Sequence, residues 1–441
     1  MDEPVRERRA AFDPRFALGL AALGVAGAAA RVAYVESVAR HLKLGFDAAA
    51  YQILGIELAG GIGYANPGTF FSAVRRPTAN FPPGYPLFLA GLHKLGAGSS
   101  VDIELAGAVL GAVTVVATGV LGRRVSGRAG VGLMAAALVC LSPTLMASAG
   151  SSMSESLSVP LMVLVLLAAS WAARSRSVLA WVVVGVAAGC LGLVRSEDLL
   201  VAVLLVPAAV LASPGRSWRW RGAGVGLALV SALAVVTPWL VRNDTTFHPH
   251  VLISTATDKT LAGANCRSTY YGPLVGYWDF TCLGHDRLAT SDEARYGQLL
   301  GAEGRQYVDA HLSRLVVVLP VRVLRAWGLY APGQESHLDA LETRSVGWQQ
   351  VAWPVSLLTL ALAVPGVVLL RRDPLALVLV AGPAVIDTAV VLISYGNDRF
   401  VLSAVPSLCI AAALTLIWVG RRLAGGPARR GALGQFETGA K

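Results

Sequence analysis

Apolar runs of about twenty residues recur along this chain, and twenty residues is the length a helix needs to cross a bilayer. The first covers residues 16–35, and others follow at 101–122, 129–148, 155–173, 178–194, 198–212, 221–241, 349–370, 374–394 and 401–420. Backbone groups in lipid must be satisfied within the segment, so runs of this kind imply helices. Composition agrees: 55% of residues are hydrophobic, 15% are charged, and mean hydropathy is +0.59. The expectation is one all-α polytopic membrane domain over residues 1–441, with about ten transmembrane helices. The stretch Leu312–Tyr330 is also apolar but carries Arg314, Arg322 and Arg325. Three Arg in a span are costly, so it reads as an interfacial or re-entrant helix, with an eleventh span as the alternative.

The formal net charge of +10 would suggest nucleic acid in a soluble protein. Here Arg residues gather at the N-terminus and in short connections: Arg123, Arg124 and Arg128, then Arg174 and Arg176, then Arg216, Arg219 and Arg221. That is a positive-inside pattern with affinity for anionic lipid headgroups, and it predicts no nucleic-acid partner. It places both termini in the cytoplasm, including a basic tail over 421–441. A cleaved signal peptide is the alternative for the first run, since Ala28-Ala29-Ala30 imitates a cleavage site, but the run continues past it. Two long segments fall outside. The first, 36–100, is expected to hold short interfacial helices near Asp47–Leu58 and Tyr85–Leu95. The second is 243–347. Cys266 and Cys282 lie in it and could pair in an oxidising compartment. Cys140, Cys190 and Cys409 lie in apolar runs and read as small core residues.

On this topology the acids converge on the outer face with selected bases. They are Asp47, the Arg75-Arg76 pair, Glu155, the Arg195-Ser196-Glu197-Asp198 cluster, Arg242-Asn243-Asp244, Lys259 and Asn397-Asp398-Arg399. Each has a plainer reading as a solvated span end, and Glu155 as an acid favoured by a helix dipole. The cytoplasmic loops hold Arg and little else, and that asymmetry locates the chemistry outside. An acid beside a membrane with cations nearby suits transfer of a sugar from a lipid phosphate. Cations stabilise the leaving phosphate, and a carboxylate takes the acceptor proton. One base with one displacement inverts the anomeric centre, whereas two closely spaced carboxylates retain it.

The order of motifs resembles the GT-C superfamily, specifically the bacterial protein-mannosyltransferase-like glycosyltransferases that use polyprenyl-phosphate sugars. The similar pieces are Asp47–Tyr64 (DAAAYQILGIELAGGIGY), PPGYPLFL from Pro82, Ser154-Glu155 at the head of a span, and Leu193–Glu197. They continue with PWLVRN over Pro238–Asn243, Ser254-Thr255 with Gly263-Ala264-Asn265, and Asp398-Arg399-Phe400 with Pro406. The resemblance implies a glycosyltransferase in a bacterial plasma membrane. Its donor would be a mannose, arabinose or similar polyprenyl-phosphate sugar, and its acceptor a glycan, lipid or protein of the cell envelope. It maps the catalytic acid onto Asp47 and a second acid onto Glu155. Arg399, Arg242, Lys259 and the Arg75-Arg76 pair are its candidates for gripping phosphate, in that order. Arg195 and Glu197 belong to a further motif, and Tyr51, Tyr64 and Tyr85 would shape a sugar site or simply pack. The family often has two adjacent acids in the first loop, whereas Ala48 follows Asp47 here. That departure weakens the case for a divalent metal, which stays open, and favours base catalysis.

A transporter or flippase of a lipid-linked sugar is the alternative. It would need polar groups at mid-membrane, and Asp387, preceded by Pro383, is the main candidate.

Overall fold

The computed structural model describes residues 13–66, 75–284 and 292–424. The Arg-rich segment before residue 13 and most of the basic tail expected over 421–441 lie outside the described residues. Among the described residues the regular structure is helical apart from one short hairpin, β1 (Ala65–Asn66) against β2 (Arg76–Pro77). Helix α1 (Pro14–Ser37) precedes the first loop, which carries α2 (Phe46–Ala59), the hairpin and α3 (Gly84–Lys94). Then come α4 (Ser100–Ser126), α5 (Ala129–Leu141), α6 (Pro143–Ala149), α7 (Glu155–Ala172), α8 (Ala180–Val194), α9 (Val206–Leu211) and α10 (Trp218–Thr246). The large loop holds α11 (Ala256–Ala264), α12 (Arg267–Tyr271), α13 (Glu293–Ala310), α14 (Leu315–Ala326) and α15 (Pro332–Leu338). Helices α16 (Val346–Leu369), α17 (Pro374–Ile393) and α18 (Val405–Ala424) close the chain.

Among the described residues, seven helices are long and apolar enough to cross a membrane, and an eighth span results if α5 and α6 count as one. Two further expected spans are shorter: α8 has 15 residues and α9 has 6, preceded by a π-helical turn over Val201–Leu205. The expected run 129–148 is broken by a 61° bend between α5 and α6. Pro143 has no N–H, so it cannot satisfy the Val139 carbonyl four residues back. The buried Arg31 guanidinium donates to that carbonyl at 3.1 Å and to Gly27 O at 3.1 Å. A break in one helix thus supplies an acceptor for a cation buried in another.

Small residues set the helix contacts, as expected where lipid removes much of the hydrophobic drive to associate. A Cβ on Gly366 would lie 1.9 Å from Ala411 O, so α16 and α18 meet backbone to backbone. Gly185 plays the same part between α8 and α10, where a Cβ would lie 2.2 Å from Ala228 O. The main core runs through α4, α5, α7, α8, α17 and α18 around Met162, Leu166, Trp181 and Leu379.

The Arg-bearing stretch at 312–330 forms α14, whose 12 residues span only about 18 Å. Its charges are buried in protein. Arg322 donates to Leu392 O at 3.0 Å, Ala264 O at 2.9 Å and Asn265 Oδ1 at 2.9 Å. Arg325 donates to Val275 O at 2.7 Å and Gln334 Oε1 at 2.6 Å, and pairs with Glu335 at 3.3 Å. Arg322 thus fastens the large loop to α17, and Arg325 ties parts of that loop to one another. Cys266 and Cys282 are joined by a disulfide in the same loop.

Asp387 is buried in α17, and its carboxylate is held by two donors. It accepts from Ser403 Oγ at 2.8 and 2.9 Å and from the Ala404 N–H at 3.0 Å. Those groups belong to the 3-10 turn Asp398–Ala404 that leads into α18, where Pro406 cannot donate. The acid that carried the transporter alternative is thus a clamp on the turn bearing Arg399. Asp387→Ala leaves two buried donors unpaired and is expected to destabilise the protein by about 1–3 kcal/mol. Thermal unfolding in detergent checks this, and an unchanged transition would refute the clamp.

Candidate active site

Asp47 sits in the first turn of α2. The helix buries Ala48, Tyr51 and Leu54 on one face, against Phe81, Tyr85, Leu89, Met153 and Val194. This packing fixes α2 across one end of the bundle. The Tyr51 ring lies 4.2 Å from that of Phe81 and 5.0 Å from that of Tyr85, and its hydroxyl donates to Ser154 Oγ at 3.4 Å. Burial raises the Tyr51 and Tyr85 phenols above their usual range.

Arg399 joins the acids at this end. Its Nε donates to Glu155 at 2.6 Å, and its Nη1 approaches Asp47 at 3.4 Å. Glu342 lies 2.9 Å from the same Nε, but the Glu342 oxygen makes no directed hydrogen bond. That contact is therefore electrostatic. Glu155 is also paired with Arg195, which pairs in turn with Glu197 at 2.6 Å. A second layer surrounds Arg344, which pairs with Asp398 at 2.6 Å and Asp339 at 3.6 Å. Side-chain exposure separates the acids: Asp47 is 44% exposed and Glu155 is 2% exposed. Burial raises the Glu342 carboxyl, against the opposing pull of Arg399 and Arg344.

Four residues read from the sequence, Asp47, Glu155, Arg195 and Arg399, therefore meet at one place, with Glu197 and Tyr51 beside them. Glu342, Arg344, Asp339 and Asp398 complete the cluster. Glu342 and Arg344 were not singled out from the sequence, and the only signal for them is the Leu-Glu-Thr-Arg run at 341–344.

Arg242 stands apart. It donates to Thr78 O at 2.8 Å, Tyr64 O at 3.0 Å and Asn243 Oδ1 at 2.9 Å. Its guanidinium also lies 4.9 Å from the Trp239 ring centre. It ties the hairpin of the first loop to α10, so its donors do not face the acid cluster. Tyr64 supports the same junction, donating to Phe81 O at 2.9 Å. Lys259 donates to Asn80 Oδ1 at 2.6 Å, next to the Phe81 that packs on Tyr51. Arg75 is exposed and pairs with Glu57 at 3.1 Å, and Arg76 is also exposed. Among the described residues no group of three or more His, Cys, Asp or Glu is placed to hold a metal ion. The acids of the cluster face guanidinium groups instead, so this set does not fit a resident divalent cation.

Similarities to known proteins follow the same outline. The family model for dolichyl-phosphate-mannose-protein mannosyltransferase matches residues 80–241. That stretch contains Glu155 and Arg195 and excludes Asp47 and Arg399. No curated protein sequence matches the chain. The crystal structure of the apo oligosaccharyltransferase of Archaeoglobus fulgidus aligns at TM-score 0.57 with 13% identity, over 92% of this chain and 51% of that one. The same enzyme tethered to an acceptor peptide aligns at TM-score 0.55 with 13% identity, over 93% and 50%. ArnT from Cupriavidus metallidurans bound to undecaprenyl phosphate aligns at TM-score 0.43 with 17% identity, over 93% and 79%. The chain thus spans about half the length of the oligosaccharyltransferase. The fold is shared with that oligosaccharyltransferase, and its apolar helices are those of a multi-pass membrane protein.

The loop bearing Glu342 crosses the start of α2 at close range. The Gly45 N–H donates to Thr343 Oγ1 at 2.7 Å, and a Cβ on Gly45 would lie 2.3 Å from Leu341 O. Gly45→Ala is expected to force the two segments apart and destabilise their contact by about 1–3 kcal/mol. Hydrogen–deuterium exchange should accelerate at residues 45–48 and 339–345, and unchanged exchange there would refute the contact.

Proposed function

We propose that the protein is an inverting glycosyltransferase that moves a sugar from a polyprenyl-phosphate donor to a cell-envelope acceptor. The observation that carries this reading is the contrast between two acids on one arginine. Glu155 is buried and paired with Arg195 and Arg399, while Asp47 touches Arg399 and stays half open. An open, oriented carboxylate suits a general base. Asp47 takes the proton from the acceptor hydroxyl as its oxygen attacks the anomeric carbon. The carbon–oxygen bond to phosphate breaks on the opposite side, and the lipid phosphate leaves.

Glu155 is a positioning residue in this scheme. It neutralises Arg195 and Arg399 and so holds Arg399 against Asp47. Arg399 and Arg242, the first two sequence candidates for gripping phosphate, are occupied by the acids and by backbone carbonyls respectively. Lys259, beside the Asn80-Phe81 edge of the site and donating to Asn80, is a further candidate for the leaving phosphate, as are Arg75 and Arg76 of the first loop. The matching family acts with a dolichyl-phosphate sugar, as its description says, and this supports a polyprenyl-phosphate donor here. The disulfide between Cys266 and Cys282 supports an outer, oxidising location for the loops that frame the site. A bacterial plasma membrane with cytoplasmic termini accords with the arginine pattern.

Transfer from a radiolabelled polyprenyl-phosphate sugar in isolated membranes tests the assignment. Asp47→Asn is expected to lower turnover by about 100-fold or more at normal expression and folding. Near wild-type turnover would remove Asp47 from the role. Glu155→Gln leaves buried cations short of a partner and is expected to cost about 3–5 kcal/mol of stability as well, a loss that Asp47→Asn does not share.

A further inference from the structure

A cleft of about 740 Å³ opens in the large loop where α11, α12 and α13 meet, beside the disulfide between Cys266 and Cys282. That lies within the roughly 300–1,000 Å³ of ligand pockets. No residue of the acid cluster lines it. Its walls are tied together. The disulfide joins two of them, and the Asp279 N–H donates to Gly263 O at 2.9 Å. A Cβ on Gly304 would lie 2.9 Å from the Leu261 carbonyl carbon, so α11 and α13 touch at backbone distance. A cleft held in this way costs little to order around a ligand.

The lining narrows the choice of ligand. Among the described residues it holds no Leu, Ile, Val, Met or Phe, so an acyl or prenyl chain would gain little there. One cation, Arg267, is balanced by one acid, Glu303, so the cleft does not select a polyanion. No strand edge borders it, so an extended peptide would find no main-chain ladder.

What the cleft offers is tyrosine beside hydroxyl and charged groups. Tyr271, which is 55% exposed, and Tyr307 line it with Ser268 and Thr281. The Arg314 guanidinium backs the Tyr271 ring, 5.0 Å from its centre. His311 stacks on Tyr307 at 4.0 Å. Tyr270 lies 5.1 Å from Tyr307 and 6.2 Å from His311. These separations make nearly a right angle at Tyr307, so Tyr270 stands at its edge. Neither ring covers the Tyr307 face turned away from His311, and His311 itself does not line the cleft. A sugar ring carries C–H bonds on its faces and hydroxyls around its rim. The C–H bonds are drawn to the negative face of an aromatic ring, and the hydroxyls pair with hydroxyl, guanidinium and carboxylate groups.

We infer that this cleft binds a neutral oligosaccharide, with a sugar ring laid on tyrosine. The same loop is bonded to the turn before Arg399: the Gly396 N–H donates to Gly276 O at 2.8 Å, and Asn397 Nδ2 donates to Tyr277 Oη at 3.1 Å. The binding stands apart from the catalytic reading; that the bound glycan is the acceptor rests on it.

Direct binding tests this. The purified full-length protein, in nanodiscs of phosphatidylcholine, is titrated with mannotetraose, arabinotetraose and maltotetraose, and with tetragalacturonate and a serine-rich hexapeptide. Saturation-transfer NMR reads the contact. At least one neutral tetrasaccharide is expected to bind more tightly than the acidic sugar and the peptide. Tyr271→Ala is expected to weaken it about tenfold, and Tyr271→Phe, which keeps the ring, by less than about threefold. Thr281→Trp, which fills the cleft from an exposed position, is expected to abolish binding. Asp47→Asn is expected to bind the sugar as the wild type does. Transfer retained in that variant would sink the catalytic reading and leave the cleft standing. The inference is overturned if no neutral tetrasaccharide binds, if the peptide or the acidic sugar binds more tightly, or if Asp47→Asn loses the sugar. Affinity unchanged in Thr281→Trp overturns it too, and that variant decides the matter if Tyr271→Ala does not fold. For the acceptor role, Tyr271→Ala is expected to raise the KM for the bound sugar about tenfold at unchanged kcat, and an unchanged KM would refute that role.

Discussion

The contacts of Arg399 are the constraint on which this end of the molecule depends. One guanidinium meets an acid from α2, an acid from α7 and an acid from the large loop. A buried cation is tolerable only with partners close by, and each partner is then held by the cation. The result is a junction that draws four separate parts of the chain together. Most of its carboxylates are buried and paired. Asp47 alone keeps a large open face among the acids that touch Arg399, because α2 lies across the end of the bundle and not within it.

The rest of the fold serves that junction. Asp387 fastens the turn that carries Arg399. Arg322 fastens the large loop to α17, and Arg325 braces that loop internally. Arg242, with Thr78 and Tyr64 as acceptors, holds the first loop against α10. Glu293 adds to this by accepting from Thr78 Oγ1 at 2.8 Å and Thr255 Oγ1 at 2.5 Å, so the two long loops are bound to one another. In these cases a charged side chain is matched to backbone or side-chain polar groups nearby. Polar residues of a membrane domain thereby act as fasteners.

The helical membrane architecture was legible because twenty-residue apolar runs leave little else to fold into. Asp47 and Arg399 stood out because an acid in a polar loop and an Asn-Asp-Arg turn ahead of a span break an apolar background. Glu342 and Arg344 did not, since they follow an amphipathic helix in a loop with no period. They reach the site through the close approach at Gly45, a tertiary fact. Arg242 is a phosphate candidate through the resemblance of its PWLVRN motif. The carbonyls that occupy it come from residues 64 and 78, which no local pattern connects to it. The break at Pro143 passed unnoticed inside an apolar run, where composition alone does not tell one helix from two.

The central claim is that a single open carboxylate, oriented by a buried arginine, does the chemistry. Its stereochemical consequence is direct, since one base with one displacement inverts the reacting carbon. The decisive measurement is the anomeric configuration of the product, read by NMR on sugar transferred from a donor of known configuration. Inversion is predicted. Retention would require a covalent intermediate on a second accessible carboxylate and would contradict the account.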